Sequence, residues 1–380
     1  MVQNKLNQKI GVITHYFDSR NYGGNFQAYA LVKILKKNGF NAEQICYDRN
    51  NKLVYNEKVI RKLIKKLLYA TVLRHRGKQV KEYRDWLEKR KVAFQYFNNN
   101  IINHSEKIYD DETIKNCCNY DVFITGSDQV WNLAWYYPAY FLNFVSPKKK
   151  KISYAASISM DELNDEQKEI FKNHLGDFNA ISVREPSSIE LIKDLSPVKV
   201  EHALDPTLLL DVEDWNEIRE EYNVNEKYVF CYFLGDNTKE RDLAKKFSRE
   251  KGVKLIGVPM TFNDVRFGGE KLFGVSPQQF LSLIANAEYV FTDSFHAVVF
   301  STIYKKQYFV FNRNSRGEMS SRIRDITNLF NTCERFCTGE ERENLNYLNS
   351  LQDIDYNIKN NKFEELKQKS IEFLINNING

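Results

Sequence analysis

KIGVITHYFDSRNYGGNFQAYALVKILKKNGFNAEQICY, residues 9–47, contains a complete β-loop-α-β unit. It opens with a short apolar run that predicts a buried strand, and a glycine-bearing turn follows at 21–25. Apolar residues then recur at helical spacing through 26–37, and a glycine stands where a helix C-cap is expected. A second apolar run at 42–47 predicts another strand. This order of elements is typical of the opening of a doubly wound α/β sheet.

The same alternation of strands and helices continues to residue 311. Asp205 and Pro206 interrupt it and separate two runs of the pattern, and a basic helical insertion, 57–98, lies within the first. We therefore predict an α/β fold with two Rossmann-like domains facing each other across a cleft. The predicted limits are 1–204 for the N-terminal domain, 205–340 for the C-terminal domain, and 341–380 for a helical segment that packs back on both. The further predicted strands are 121–125, 151–159, 180–184, 198–204, 228–234, 254–258, 289–292 and 307–311.

Composition argues against several classes of protein. The chain has 380 residues, 42% of them hydrophobic, and lacks the run of about 18 apolar residues that a membrane-spanning helix needs. Residues 1–8 are polar and do not resemble a secretory signal. The six cysteines include no C-x-x-C pair, so we expect neither a disulfide framework nor a metal site. We predict a soluble cytoplasmic protein.

Positive charge is concentrated in one segment. Residues 58–91 contain 13 lysines and arginines against three acidic residues, a net charge of +10, so the rest of the chain carries −5. A local anionic partner fits this distribution better than a nucleic acid does. An apolar face flanked by Lys and Arg predicts either peripheral binding at the inner face of an anionic membrane or a helix packed on the first domain. That face comprises Val59, Ile60, Leu63, Ile64, Leu67 and Leu68.

Four segments that can carry chemistry lie where predicted strands end. In open α/β sheets, ligands bind beyond the carboxyl ends of the strands. Each segment offers groups that bind anions, donate hydrogen bonds or transfer protons, and their common position predicts one site in the cleft. The segments are 15–24, 126–131, 184–185 and 293–296.

The first two segments suit a polar sugar or an anion. Residues 21–24 precede a helix, so their amides and the helix dipole can hold such a ligand; a plain tight turn is the alternative. No G-x-G-x-x-G motif or following Lys-Ser/Thr pair is present, which argues against dinucleotide and P-loop sites. Asp128 is placed to accept protons from sugar hydroxyls while Trp131 stacks on the ring. The alternative is a capping side chain followed by a core tryptophan.

His296 lies near the start of the helix that is predicted to follow strand 289–292. At that end the helix dipole favours bound anions and lowers the pKa of a histidine. The position predicts a residue that binds phosphate or delivers a proton.

Five ordered motifs resemble those of the polysaccharide pyruvyl transferase family. The resemblance extends over about residues 9–313. It implies a fold similar to that of GT-B glycosyltransferases, with the acceptor on the N-terminal domain and the donor on the C-terminal domain. The motifs are NYGGNFQAYAL (21–31), GSDQVWN (126–132), SVRE (182–185), DPT (205–207) and TDSFHA (292–297).

The resemblance also implies a reaction. Phosphoenolpyruvate would be the donor, with no cofactor, and a pyruvate ketal on a saccharide of a capsule or other cell-surface polysaccharide would be the product, with phosphate released. We expect His296 to be the acid or a phosphate ligand, Asp128 or Asp293 the base, and Arg184 the clamp on the donor. The residues expected to bind the acceptor, including a lipid-linked one, are His15, Asn21, Tyr22, Gly23, Gly24, Gln27, Ser127 and Trp131.

One position departs from the family pattern. Many members carry an arginine two residues before the histidine, and here Ser294 stands at that place, beside the expected donor. If the reaction is kept, another cation must hold the phosphate. The candidates downstream are Arg313, Arg316, Arg322 and Arg324.

Two other functions remain open at this point. One is a GT-B-like glycosyltransferase, which requires a nucleotide pocket in the second domain. The other is a catalytically degenerate saccharide-binding protein, an alternative that Ser294 favours.

Overall fold

Two parallel β-sheets organise the chain. The structure, a computed structural model, describes residues 8–49, 77–261, 264, 267–313 and 320–380. The strands of the first sheet are β1 (Lys9–Ile13), β2 (Asn41–Tyr47), β3 (His104–Tyr109), β4 (Val122–Thr125), β5 (Lys150–Ala156), β6 (Ala180–Val183) and β7 (Val200–His202). They lie in the order β3-β2-β1-β4-β5-β6-β7, and every neighbouring pair is parallel.

The second sheet has the same winding. Its strands are β8 (Tyr228–Tyr232), β9 (Lys254–Gly257), β10 (Glu270–Lys271), β11 (Tyr289–Thr292), β12 (Gln307–Phe311) and β13 (Phe336–Cys337). They lie in the order β10-β9-β8-β11-β12-β13, again all parallel. The winding direction reverses between β1 and β4 in the first sheet and between β8 and β11 in the second. Open α/β sheets bind ligands in the crevices at such points.

Helices connect and cover the strands. The helices of the described chain are α1 (Tyr22–Lys37), α2 (Gly77–Asn100), α3 (Asp165–Leu175), α4 (Pro186–Ile192), α5 (Val212–Asn216), α6 (Lys239–Glu250), α7 (Pro277–Ala285), α8 (Phe295–Ile303), α9 (Ser320–Leu329), α10 (Leu345–Ser350) and α11 (Asn361–Asn379).

Helix α1 makes the main contact between the two domains. The side chain of Asn21 caps its first turn. Two lysines in its last turn interact favourably with the negative end of the helix dipole. The ring of Tyr22 is stacked on Phe280 of α7 with centroids 4.2 Å apart, and Phe26 contacts Phe300 of α8 at 4.7 Å. These rings are buried, so their contacts hold the carboxyl ends of the two sheets in one arrangement.

Helix α11 returns from the second sheet to the first. The hydroxyl of Ser370 accepts a hydrogen bond of 3.0 Å from the backbone of Leu204, and the ammonium of Lys150 donates one of 3.0 Å to the carbonyl of Ile378. Asn360, the N-cap of this helix, donates a hydrogen bond of 2.6 Å to the carbonyl of Leu329, so the C-terminal helix runs from α9 past the carboxyl end of β7 to the amino end of β5.

The predicted fold class is confirmed: the chain has two Rossmann-like α/β domains that face a cleft in a GT-B-like arrangement. The exact domain limits stay a prediction. The predicted strands correspond to β1, β2, β4–β9, β11 and β12, with ends shifted by up to three residues. Strand β3 was missed because its sequence is largely polar and lies at a sheet edge, where three consecutive residues are exposed.

Part of the predicted basic insertion lies outside the described residues. Only the portion from Gly77 onward is described, and it forms α2. The predicted apolar face from Val59 to Leu68 lies outside the described residues. Within α2, Arg90 is buried between the domains, where its guanidinium lies 5.2 Å from the Tyr22 ring centre and contacts Met260 Sδ at 2.6 Å.

We expect the Tyr22 contact to control the stability of the whole molecule. The Tyr22 hydroxyl donates a 2.8 Å hydrogen bond to the carbonyl of Val275, across the domain boundary. Tyr22→Phe leaves that buried acceptor unpaired and should lower the free energy of unfolding by about 1–3 kcal/mol. Tyr22→Ala, which also removes the ring, should cost about 3–5 kcal/mol. Denaturant unfolding measures both, with Tyr96→Ala on the exposed face of α2 as the control.

Candidate functional site

The carboxyl ends of the two sheets meet at Gly23 and His296. Gly23 is in the first turn of α1, and His296 is in the first turn of α8, directly after β11. A Cβ atom built on Gly23 would lie 2.0 Å from Nδ1 of His296, so the imidazole rests directly on the glycine backbone. Only a residue without a side chain permits this approach. The contact brings the predicted acceptor segment and the predicted histidine together.

A buried arginine links the rest of the site to His296. Arg184 follows β6, and its Nη1 lies 2.9 Å from Oδ2 of Asp205 and 3.7 Å from Oδ1 of Asp128. Its Nε lies 3.1 Å from Oε1 of Glu185. Oδ2 of Asp205 is also 3.7 Å from Nε2 of His296, which is an ion-pair distance but too long for a hydrogen bond. The five side chains form one charged cluster between the domains.

Electrostatics keep the carboxylates of this cluster ionised. Burial opposes the charge on Asp205, but His296 and Arg184 beside it hold the pKa of that carboxyl well below its ordinary value. Burial likewise opposes the charge on Asp128, and Arg184, His296 and His15 together lower the pKa of Asp128. The pKa of the Arg184 guanidinium is raised, since Glu185, Asp205 and Asp128 outweigh the effect of burial.

Arg322 of α9 adds a second buried guanidinium. Burial, together with the positive charge of Arg184, lowers the pKa of Arg322 to about 10. Its Nε has no hydrogen-bond partner among the described residues, and neither has Nη2 of Arg184. Two guanidiniums with unpaired buried nitrogens constitute a site that an anion would complete.

These two arginines line a cavity of about 430 Å³. Asp205 and Phe295 lie in the same wall. Asp205 is close to His296 in space, and Phe295 precedes His296 in the sequence. The Arg184 guanidinium stacks over the Phe295 ring at 5.0 Å. A cavity of this size accommodates a small organic anion.

The loop after β4 places Asp128 in this cluster. A Cβ at Gly126 would lie 2.1 Å from the carbonyl oxygen of Tyr154, and Gly126 has a φ of +115°, so both space and backbone conformation require glycine. Asp128 pairs with Ala156 in a parallel bridge, which fixes its backbone. Its side chain is 16% exposed and therefore accessible at the rim of the cluster.

The prediction that Trp131 stacks on a sugar ring is wrong for this structure. Trp131 is completely buried, stacks on Phe141 with ring planes 5° apart, and donates a hydrogen bond to the carbonyl of Tyr140. The core-tryptophan alternative describes it correctly. Tyr22 is also placed away from any ligand, since it is 1% exposed and joins the two domains.

Gln27 and Ser127 are positioning residues in this structure. Gln27 Nε2 donates to Thr14 Oγ1 and to the carbonyl of Gly24, both at 2.9 Å, and its Oε1 accepts from the backbone of Ser127 at 3.0 Å. The Ser127 hydroxyl donates 2.7 Å to the carbonyl of Ala155. Both side chains are fully buried, so they join α1, β1 and the Asp128 loop rather than contact an acceptor.

Asp293 and Ser294 stabilise the turn after β11. The carboxylate of Asp293 accepts hydrogen bonds of 2.7 Å from the backbone of Leu234 and Gly235, and Arg313 Nε lies 3.4 Å from it. Its oxygens are therefore occupied, which argues against the predicted role of Asp293 as a base. Ser294 caps α8 through its hydroxyl and is 4% exposed.

His15, Asn21 and Gly24 surround the N-terminus of α1. Burial and the neighbouring Arg49 lower the pKa of His15 to about 4, so its imidazole is neutral at pH 7. His15 Nε2 lies 3.1 Å from the carbonyl of Gln129 and therefore carries the proton in that contact. Asn21 is exposed and Gly24 is buried against the His15 carbonyl. These residues border the cluster, and their acceptor role stays a prediction.

The four downstream arginines that were candidates for binding the donor differ in position. Arg322 is in the cluster, whereas Arg313 contacts Asp293 in the second domain. Arg324 lies on the exposed face of α9 and does not line the cavity, so its predicted donor role is wrong in this structure. Arg316 lies outside the described residues.

The sequence argument placed Glu185 in a candidate segment without assigning it a role, and it missed Asp205 as a site residue. Asp205 was interpreted as part of a domain boundary, yet it is 1% exposed and connects Arg184 to His296. Its position directly after a predicted strand, in the DPT motif, was the signal available in the sequence. Asp325, in the cavity wall, gave no such signal because its helix was not predicted.

Comparison with known proteins agrees with this architecture. The chain resembles two structures of UDP-GlcNAc 2-epimerase from Methanocaldococcus jannaschii: one at TM-score 0.53 and 11% identity, and one in complex with UDP-GlcNAc and UDP at TM-score 0.52 and 13% identity. In both cases the match covers 98% of this chain and 99% of the other. At such identities the likeness shows the fold alone, that of the GT-B class. No curated protein matches the sequence.

Residues 21–315 match the family described as Polysaccharide pyruvyl transferase. The match spans more than half of the chain, so the protein belongs to this transferase family. Among the described residues, no helix is long and apolar enough to cross a membrane, and no three His, Cys, Asp or Glu side chains are grouped to hold a metal ion.

The Gly23–His296 contact leads to a test of site geometry. Gly23→Ala places a methyl group on the imidazole and should lower the free energy of unfolding by about 1–3 kcal/mol, the usual cost of overpacking. In the His296→Ala background the same change should cost much less, because the clash is gone. Denaturant unfolding of the native protein, the two single variants and the double variant gives the coupling free energy between Gly23 and His296. Gly176→Ala, at a site with nothing within 4 Å, is the control. Equal costs in both backgrounds would contradict the contact.

Asp325 supplies a test that depends on pH. Burial and the nearby Glu185 raise its pKa to about 6, so the folded state disfavours the ionised form. Ionisation of Asp325 therefore lowers the free energy of unfolding as the pH rises from about 4 to about 6. Above about pH 6 this contribution stays constant. Asp325→Asn should be more stable than the native protein at pH 7.5, and the difference should shrink at pH 5. A difference that grows on acidification would contradict this assignment.

Proposed function

We propose that the protein transfers pyruvate from phosphoenolpyruvate to two hydroxyls of one saccharide, forming a ketal and releasing phosphate. The observation that carries the proposal is the single cluster of His296, Asp128, Arg184 and Arg322 beside a cavity of about 430 Å³. It combines a proton donor, an ionised carboxylate and two cations with unpaired nitrogens. Family membership supports a saccharide acceptor.

The reaction needs each of these groups. Protonation of the donor at its methylene carbon makes the adjacent carbon electrophilic, and a sugar hydroxyl attacks it. A second hydroxyl of the same sugar then displaces phosphate, closing the ketal. The acid that protonated the methylene carbon is restored by the proton of the first sugar hydroxyl. The proton of the second hydroxyl leaves with the phosphate. An acid, a base and cations for a carboxylate and a phosphate are required.

The structure favours His296 as the acid and Asp128 as the base. His296 is 9% exposed and lies at a helix N-terminus, where a phosphate or carboxylate is favoured. Asp128 is ionised, and the same cations that ionise it weaken it as a base. A donor anion between Arg184 and Arg322 would offset those cations and raise the pKa of Asp128 toward a useful range. Binding of the donor would thus prepare the base.

One observation favours a second candidate, a glycosyltransferase that uses a nucleotide sugar. A separate cavity of about 330 Å³ lies at the carboxyl ends of β8, β11 and β12, lined by Asp236, Arg241, Asp293 and Arg313 among others. It is at the ligand-binding crevice of the second sheet. Release of a nucleotide instead of phosphate would favour this candidate.

The location of the acceptor is a further part of the proposal. The net charge of +10 in residues 58–91 supports docking at an anionic membrane, where a lipid-linked saccharide would be presented. Most of that segment is outside the described residues. Within α2, Lys81, Arg84 and Lys89 are exposed, whereas Arg90 is not available.

We expect phosphate release from phosphoenolpyruvate only when a suitable saccharide is present, with no added metal. His296→Gln and Asp128→Asn should each lower the rate by at least about a hundredfold, the scale of a positioned acid or base. A coupled phosphate assay against a panel of lipid-linked sugars measures it, and Lys168→Gln on exposed α3 is the control. Rapid turnover by either variant would contradict its role.

Arg184→Ala is a poor probe of the same chemistry. Removal of this side chain would leave buried Asp205 and Glu185 without their cation, which costs about 3–5 kcal/mol of stability. The tests therefore use His296 and Asp128 instead.

A further inference from the structure

The turn after β11 offers no cation for a donor phosphate. The hydroxyl of Ser294, directly after Asp293, is used to cap α8. Its side chain is 4% exposed and has no charge. A cation for the phosphate must therefore come from another element of the fold.

Two other elements contribute cations to the cavity beside His296. Arg322 enters its wall from α9, and Lys362 and Lys369 enter from α11, which lies outside the family-matched residues 21–315. Lys369 Nζ is 2.7 Å from Oε1 of Glu365. Lys362 is exposed at the edge of the cavity and has no ion-pair partner among the described residues.

The two arginines of the cavity wall differ in how they are paired. Arg184 is engaged by Asp205 and Glu185, whereas Arg322 Nε is buried without a hydrogen-bond partner among the residues described. Lys362 is close enough to His202 to lower its pKa, together with burial, and His202 Nε2 lies 3.1 Å from the carbonyl of Arg184. Lys362 is therefore near both the cavity wall and the backbone of Arg184.

We infer that Arg322 and Lys362 together hold the phosphate group of the donor, so that the C-terminal helix completes the donor site. The inference rests on the proposed function for the identity of the donor, and the ligand chemistry is a small anion bearing phosphate and carboxylate. Arg184, fixed by its carboxylates, then faces the carboxylate end of the donor, nearest His296 and Asp128. A guanidinium and an ammonium at one phosphate make charge-assisted hydrogen bonds without Ser294.

The low pKa of Arg322 agrees with this arrangement. Burial and the positive charge of Arg184 lower the pKa of its guanidinium, Glu185 and Asp128 oppose that effect, and a bound dianion would favour its charged form. Asp325 in the same wall opposes an anion when ionised. Its raised pKa, about 6, limits that repulsion in mildly acidic solution.

The test is calorimetric titration of the full-length protein with phosphoenolpyruvate, inorganic phosphate and pyruvate. Lys362→Gln and Arg322→Gln should each weaken binding of phosphoenolpyruvate and of inorganic phosphate by at least about tenfold, the scale of one charge-assisted hydrogen bond. Pyruvate binding should change little in Lys362→Gln. Lys367→Gln, on the same helix but paired with Asp211 and outside the cavity wall, is the matched control.

The possible outcomes separate this inference from the proposed function. Unchanged phosphate affinity in Lys362→Gln overturns the inference even if pyruvyl transfer proceeds. Loss of phosphate affinity in both variants and not in Lys367→Gln supports the inference, and if no saccharide then accepts pyruvate, only the proposed reaction fails. Thermal unfolding of Lys362→Gln, which alters an exposed side chain, verifies that the variant is folded.

Discussion

The close approach of α1 to α8 is the constraint on which the site depends. The imidazole of His296 rests on the backbone of Gly23, and the rings of Tyr22 and Phe26 pack against the second domain directly beside this contact. Because α1 also follows β1 of the first sheet, the contact sets the separation of the two sheet edges. A side chain at Gly23 would move the domains apart or displace the histidine, and either change would separate His296 from Asp205.

The second requirement is that the buried charge of Arg184 is compensated by neighbouring carboxylates. Arg184 is 6% exposed and is tolerated there because Asp205 and Glu185 contact it directly and Asp128 lies nearby. Such a group is costly if one partner is lost, and the cluster therefore acts as a unit. Arg322 lies outside that balance, and the pKa of its guanidinium is lowered accordingly. Its Nε, buried without a hydrogen-bond partner among the described residues, is the physical basis for the proposal of an anionic donor here.

Ser294 stabilises the turn after β11 without supplying a charge to the site. Ser294 provides the N-cap that α8 needs, so the histidine keeps its position in the first turn of the helix. Cations from α9 and α11 lie on the same cavity, and α11 belongs to the part of the chain beyond the family match. The cations in this cavity wall therefore include side chains from elements that are distant in sequence from β11.

The sequence by itself determined the two doubly wound sheets, the motifs at their strand ends and the position of His296, because apolar periodicity and turn residues are local properties. It could not separate Trp131 in the core from a tryptophan in a binding site, since both have the same neighbours in sequence. It also missed Asp205, whose partners Arg184 and His296 lie 21 and 91 positions away. Burial, ion pairing and the contribution of α11 depend on contacts between distant segments, so only the tertiary structure decided which candidate side chains share one site.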